Sequence, residues 1–265
     1  MRLLVTGASG YLGAEVAARG LPQVAGTYFT QRPGDVPWEA AQLDVRDFEA
    51  VERLVSSFSP DVIVHTAYVQ GGPEVRRTIV EGSAAVAASA AAHYVRLVHV
   101  STDLVFSGLA GRPYSEDDEP DPIIEYGRLK LEAERAVAPE ALIVRTSLLY
   151  GAAAPGPQER MALDPAVRFF RDELRCPTAV TDLADALIEL AARDVTGTLH
   201  VAAPEGLSRY EFARLLARPH GHEPAPAERT AGEAGRPTDC RLDSSRAASR
   251  LSTRIRGVGE VLADG

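Results

Sequence analysis

Three glycines stand directly behind the first apolar run of this chain. In "LLVTGASGYLGAEVAARG", Gly7, Gly10 and Gly13 separate a stretch that reads as a strand from one that reads as a long helix. Glycines at that junction let the backbone turn tightly, let it approach a pyrophosphate, and leave the helix N-terminal N–H groups facing its charge. The spacing is GxxGxxG. A chain that opens this way is set on βα alternation, and the rest of the sequence keeps to it. Short β-branched runs, "VAGTY", "AQLDV", "DVIVHTA", "LVHVST", "ALIVRTSLLY" and "TLHVAA", alternate with longer amphipathic, Ala-rich stretches. Such alternation predicts an α/β fold with one doubly wound parallel sheet of about seven strands.

The helices carry their own boundaries. "DFEAVERLVSSF" opens on an acid able to cap its first turn and stops at Ser59-Pro60, and "TIVEGSAAVAASAAAH" has small faces suited to close packing on a sheet. After Tyr150 the texture changes to Pro/Gly-rich loops, "GAAAPGPQER" and "RPHGHEPAPAERTAGEAGRP", with one short helix, "SRYEFARLLA", between them. Residues 1–150 plus 178–203 are therefore expected to form a dinucleotide-binding domain. Residues 151–177 plus 204–265 are expected to form a small, discontinuous substrate lobe.

Charge and composition narrow the function. A net charge of -9 over 265 residues opposes a nucleic-acid or anionic-membrane role, because phosphate surfaces need a basic face. No apolar stretch approaches the roughly 20 residues needed to cross a bilayer. Glycine at position 7 comes too early for a signal sequence. Two cysteines, Cys176 and Cys240, give neither a disulfide framework nor zinc spacing. The expectation is a cytoplasmic protein acting on a small molecule. No metal is expected: "EDDE" (116–119) reads as a solvated turn, and His220 and His222 lack a third ligand at sensible spacing.

The end of the second strand, "QVAGTYFTQRPG", lacks the Asp or Glu that holds the ribose hydroxyls of NAD, and carries Arg32 instead, a cation suited to the 2′-phosphate of NADP. Asp44, closing the third strand, can accept from an adenine amino group or cap the next helix. Tyr126 and Lys130 lie four residues apart in "IEYGRLKLEAERAV", so on a helix the phenol and the ammonium share a face. The lysine charge favours the phenolate and eases proton exchange with a substrate oxygen. A hydroxyl at the end of a neighbouring strand can hold the same oxygen. Thr102 in "STDLVF" has that place, since ligands bind at the carboxyl ends of such strands.

"TGASGYLG", "HTA", "STDLVFSG", "RPYSEDDEPDPIIEYGRLKLEAE" and "VRTSLLYG" together resemble the extended short-chain dehydrogenases/reductases, and among them the dTDP-4-dehydrorhamnose reductase (RmlD-like) branch. The resemblance is strong over residues 1–150 and weaker in "RCPTAVTDLADAL" and "RPTDCRLDSSRAA". It implies a Rossmann-like fold and the catalytic residues Thr102, Tyr126 and Lys130. It implies a cofactor, NADPH with NADH as the alternative, held by Gly7, Ser9, Gly10, Tyr11, Leu12, Gly13, Arg32, Asp44, Val45, Thr66, Ala67, Tyr68 and Ser101 together with Tyr126 and Lys130. Asp103, Val105 and Arg236 would meet the substrate, a nucleotide sugar whose 4-keto group is reduced. The resemblance leaves room for a homodimer. Leu104 stands where the similar dehydratases carry an acid, which argues against dehydration. Two other readings stay open: an epimerase, which uses the same triad, and a non-catalytic NADP-binding subunit like the methionine adenosyltransferase beta subunit. The chain departs from the family pattern in three places. Ile79 replaces an asparagine, Thr66-Ala67-Tyr68 stands where "NAA" is usual, and the segment between "LLYG" and "CPTAVTDLA" is shorter than the one that supplies a helix for the substrate nucleotide.

Overall fold

The computed structural model describes residues 1–19 and 23–264. Its contacts group the chain into two units, one of residues 1–101, 129–144 and 184–198, the other of residues 102–128, 145–183 and 199–265. Seven strands form the main sheet: β1 (Leu3–Thr6), β2 (Val24–Tyr28), β3 (Glu39–Gln42), β4 (Val62–His65), β5 (Arg96–Thr102), β6 (Leu142–Thr146) and β7 (Gly197–His200). Their order is β7-β6-β5-β4-β1-β2-β3. The pairs β1–β2, β1–β4, β2–β3 and β4–β5 are parallel, with Leu4 beside both Ala25 and Ile63. The chain thus winds outward from β1 in one direction and, from β4, in the other. Ligands of open α/β sheets bind outside the carboxyl ends of the strands at such a switch. β1 and β4 are buried along their whole length, which is why "LLVT" and "VIVH" read as apolar runs. β3 covers Glu39–Gln42 rather than the expected "AQLDV". It is an edge strand with exposed ends, so its sequence carries little strand signal.

The helices of interest are α1 (Tyr11–Ala17), α2 (Phe48–Phe58), α3 (Gly82–Ala92), α4 (Glu125–Val137), α5 (Pro157–Leu163), α6 (Val180–Ala191) and α7 (Arg209–Ala217). α2 begins at Asp47, whose side chain accepts from Ala50 N, and ends at Ser59 in the left-handed conformation. In the first unit, Leu4, Leu43, Val51, Val55, Ile63 and Val86 share one apolar core. A Cβ on Gly82 would lie 2.8 Å from the Val45 side chain, so the small residue at the start of α3 permits that packing.

The second unit has a separate core in which Tyr150, Phe169, Phe212, Leu216 and Val258 meet. Three two-stranded pairs tie it together: Thr178–Ala179 with Leu149–Tyr150, Leu207–Ser208 with Leu174–Arg175, and Ala225–Pro226 with Arg168–Phe169. α7, the helix expected in "SRYEFARLLA", opens on a capping box between Ser208 and Glu211. Residues 102–128, 145–150, 178–183 and 199–203, expected in the dinucleotide-binding domain, group with this second unit. The reason is local pairing. Tyr114 N donates to Arg241 O at 2.8 Å, Asp239 N to Gly108 O at 3.2 Å and Val201 N to Arg145 O at 2.8 Å. Among the described residues, no helix is long and apolar enough to cross a membrane.

Candidate active site

Gly7 follows β1 with φ +75°, and a Cβ on it would lie 2.7 Å from the Ala67 backbone. A Cβ on Gly13 would lie 2.2 Å from Gly7 O and 2.7 Å from Thr66 Oγ1, so α1 reaches the turn only because residue 13 is glycine. Gly10 is different: within 4 Å a Cβ there would meet only Gly7 O, at 3.1 Å. Ser9 and Gly10 are exposed, and α1 has neither a side-chain cap nor an acid in its first turn. Gly7 N donates to Thr27 Oγ1 at 3.1 Å and Thr66 Oγ1 to Thr6 O at 2.7 Å, which pins the turn to the ends of β2 and β1. An open glycine turn lined by amide donors fits a pyrophosphate. Leu12 and Val45 are 7% and 6% exposed and pack into the core, so only their backbone is available to a ligand. Tyr11, Thr66 and Ala67 are half-buried and Tyr68 is exposed.

Arg32 is exposed beyond β2 and has no ionic partner among the described residues. Asp44 is already engaged. Arg46 Nε and Nη2 donate to its two oxygens at 2.8 and 2.7 Å, and these bonds hold its carboxyl below the usual carboxylate range. It does not cap α2, since Asp47 does.

β5 ends in Thr102, whose Oγ1 accepts from Leu104 N at 3.2 Å and donates to Asp103 Oδ1 at 3.1 Å. A single 3₁₀ turn, Asp103–Val105, follows. The first turn of α4 is seated on it through Gly127, where a Cβ would lie 2.0 Å from Leu104 O. Tyr126, half-buried, is the residue before that glycine in the same first turn of α4. Lys130, one turn further along α4, is 5% exposed; its Nζ donates to Val100 O at 2.7 Å and lies 3.5 Å from His99 Nε2. Burial lowers its pKa from 10.5 to about 8, against the pull of the Glu134 carboxylate.

A buried histidine pair lies next to Lys130. His65 and His99 are register partners on β4 and β5, and their rings stack with centroids 5.3 Å apart. Ser83 Oγ donates to Ile79 O at 2.6 Å, so His65 Nε2 must donate to Ser83 Oγ at 3.1 Å and its Nδ1 accept from Thr6 Oγ1 at 2.6 Å. Burial first, and the Lys130 charge second, push the His65 pKa down to about 3 and that of His99 well below its ordinary value. Both rings are neutral near pH 7, and the lysine carries the charge. His99 Nδ1 and Ser101 Oγ are enclosed with no hydrogen-bond partner among the described residues. Neither motif nor spacing singles out this pair, although "VIVHTA" and "LVHVST" each place one histidine in an otherwise apolar strand. Ile79, in place of the asparagine, is 1% exposed and offers only its carbonyl.

The residues expected at the substrate separate into two kinds. Asp103 and Val105 are both fully buried. Asp103 accepts from Arg175 Nε at 2.7 Å, from Arg175 Nη2 and from Ser147 Oγ, so its carboxylate is the counter-ion of Arg175 and has no surface left for a ligand. Val105 packs as core. Arg236 is partly exposed and donates to Glu173 from Nε at 2.9 Å and from Nη2 at 3.0 Å. Cys176 and Cys240 are enclosed, and burial pushes their thiols up to about 11 and about 12. In "EDDE", Asp118 accepts from Arg112 and Ser115 while Glu116 accepts from His200 N.

Residues 1–264 match the family described as the RmlD substrate binding domain. The chain belongs to that family. The RmlD match therefore spans nearly the whole chain, beyond the first 150 residues that carry the strongest motifs. A dTDP-4-dehydrorhamnose reductase of Mycolicibacterium smegmatis is 32% identical over 289 residues, covering 99% of this chain and 84% of that protein. The methionine adenosyltransferase 2 subunit beta of Bos taurus is 30% identical over 282 residues, covering 92% and 81%. Among solved structures, a hypothetical dTDP-4-dehydrorhamnose reductase from Sulfolobus tokodaii is similar with a TM-score of 0.83 and 29% identity, over 97% of each chain.

Proposed function

We propose that this RmlD-family chain is an NADPH-dependent reductase acting on the 4-keto group of a nucleotide-linked 6-deoxy sugar. The observation that carries the reading is the buried ammonium of Lys130 one helical turn from Tyr126, on a helix seated by Gly127 against the turn that follows Thr102. The cradle at Gly7, Gly10 and Gly13 supports a dinucleotide, and exposed Arg32 supports NADPH over NADH. The M. smegmatis relative's name supports the sugar substrate.

When bound, the dinucleotide supplies a hydride. Tyr126 gives its phenolic proton to the ketone oxygen, and the Lys130 charge favours the phenolate that remains. Thr102 turns its hydroxyl from Asp103 to the same oxygen and holds it. The same reading assigns the protein to the cytoplasm, with a small molecule as partner.

The Bos taurus relative favours a second reading, a subunit that binds the cofactor without turnover. One experiment separates the two. NADPH oxidation is followed with dTDP-4-keto-6-deoxyglucose and its epimerised form as substrates, with NADH as control, in wild type and Tyr126→Phe. Oxidation by the wild type, reduced at least about 100-fold in Tyr126→Phe with NADPH affinity kept, is the expected result. Tight NADPH binding without oxidation of either substrate favours the subunit. Undiminished turnover in Tyr126→Phe overturns the proton donor.

A further inference from the structure

Lys130 is the only lysine of the chain: the rest of its 28 lysines and arginines are all arginine. An ammonium does at this place what a guanidinium cannot. It is compact, it turns three N–H donors about one nitrogen, and its pKa moves readily on burial. Two of the donors have acceptors on adjacent residues of β5, Val100 O at 2.7 Å and His99 Nε2 at 3.5 Å. Among the described residues no further acceptor meets the third.

The contact with His99 decides where that ring carries its proton. An ammonium only donates, so the Nε2 that faces it is the accepting nitrogen, and the proton of the neutral ring sits on Nδ1. Nδ1 is enclosed and has no acceptor among the described residues. Ser101 Oγ is in the same condition, on a buried residue and without a partner. Residues two apart on a strand line one face, so the Ser101 hydroxyl and the His99 ring share a face of β5. A buried N–H and a buried hydroxyl are costly apart and satisfied together, directly or through one enclosed water. The plane of the His99 ring is fixed by His65, which stacks on it at 28° and cannot turn, because Thr6 and Ser83 take both its nitrogens. The groups that bear on the ammonium are thus His99 from β5, His65 from β4 and, on α4 itself, the Glu134 carboxylate.

We propose that His99 is the positioning residue of Lys130: its Nε2 accepts from the ammonium, and Ser101 holds the ring in the tautomer that allows this. The part Lys130 plays in turnover rests on the reductase reading. Each link sets the direction of the next, from Lys130 Nζ to His99 Nε2 and from His99 Nδ1 to Ser101 Oγ. With the tautomer reversed, two N–H groups would meet head-on, and the ammonium would lose an acceptor while still buried. Val100 O alone would let the ammonium turn about a single bond. Two acceptors fix its orientation, and with it the direction of the third N–H.

The test uses the single lysine. Lysine labelled with carbon-13 at Cε gives one side-chain signal from the full ligand-free chain, and its shift against pH reports Lys130 alone. In wild type the midpoint is expected at about 8. His99→Phe keeps a ring against His65 and removes the acceptor, so the midpoint falls by at least about half a pH unit. His99→Gln places an amide oxygen where Nε2 stood and restores the wild-type midpoint, while Ser101→Ala, which frees the tautomer, lowers it. A merely structural His99 predicts the opposite sign, since a loosened core admits water and lets the midpoint rise towards 10.5. The imidazole nitrogen-15 spectrum of unaltered wild type at pH 7 reads the tautomer without any variant: Nδ1 protonated and Nε2 bare. Under the reductase reading, kcat for NADPH oxidation falls at least about tenfold in His99→Phe with the KM for the ketone unchanged, and His99→Gln recovers it. A bare Nδ1 in wild type, a His99→Phe midpoint equal to or above that of wild type, or an undiminished kcat overturns the proposal. Failure of the reductase reading has its own signature: the midpoint shifts, with no NADPH oxidation by wild type, keep the placement of the ammonium and remove the reaction.

Discussion

Lys130→Met should make the ligand-free protein more stable while abolishing turnover. The Lys130 pKa falls from 10.5 to about 8 on folding, and at 1.36 kcal/mol per pKa unit the folded state disfavours the ammonium by about 3 kcal/mol. Methionine removes that penalty along with the bond to Val100 O, whose loss costs about 1 kcal/mol, leaving a net gain of about 2 kcal/mol. For a chain of this size that is a Tm rise of about 4–8 °C near pH 7. The pH dependence gives a sharper signature. Because the folded pKa lies below the unfolded one, between pH 8 and 10.5 the unfolded state holds a proton that the native state has released. Wild-type stability therefore climbs relative to the variant through that window, and the variant's advantage is gone at its upper end. Scanning fluorimetry of both proteins from pH 6.5 upward, compared pH by pH so that other titrations cancel, measures the gap. A variant no more stable than wild type at pH 7, or a gap that stays constant between pH 8 and 10.5, refutes the reasoning.

Two further outcomes follow from buried charge and buried rings. Asp103→Asn strips the fully buried Arg175 of its main counter-ion and should lower unfolding free energy by about 3–5 kcal/mol, read from urea denaturation; a loss below about 1 kcal/mol contradicts the pairing. His65, held neutral down to about pH 3, binds its proton in the unfolded state from pH 6.5 downward, so stability is lost as pH falls through that window, by up to about 5 kcal/mol. His65→Asn should flatten the acid limb of the stability curve, and an unchanged slope in equilibrium unfolding between pH 6.5 and 4 counts against it.

The sheet was legible because its signals are local. Strand runs such as "DVIVHTA" state their burial in composition, the cap at Asp47 and the stop at Ser59 sit beside the helix they bound, and Gly7 and Gly13 mark a close approach that only glycine allows. That Tyr126 and Lys130 lie one turn apart on a single helix was legible for the same reason, since their spacing is local. What the sequence hid depends on partners distant in the chain. Asp103 looked like a ligand residue until Arg175, 72 positions away, took up both its oxygens. The His65–His99 stack needs the β4–β5 register, which no single stretch encodes. Gly127 read as the residue next to a tyrosine, and only the packed turn reveals why a side chain cannot stand there.

The chain passes from one unit to the other after residues 101, 128, 144, 183 and 198. No single backbone cut can then release either unit whole, and no truncation keeps one intact while discarding the other. Proteolytic nicking should leave two fragments that copurify rather than a free lobe. Recombination is constrained in the same way. A glycine-turn module cannot be lent to another enzyme by joining two genes once, so change of substrate in a chain wound like this must come by substitution in place, residue by residue, on the segments that carry the second core.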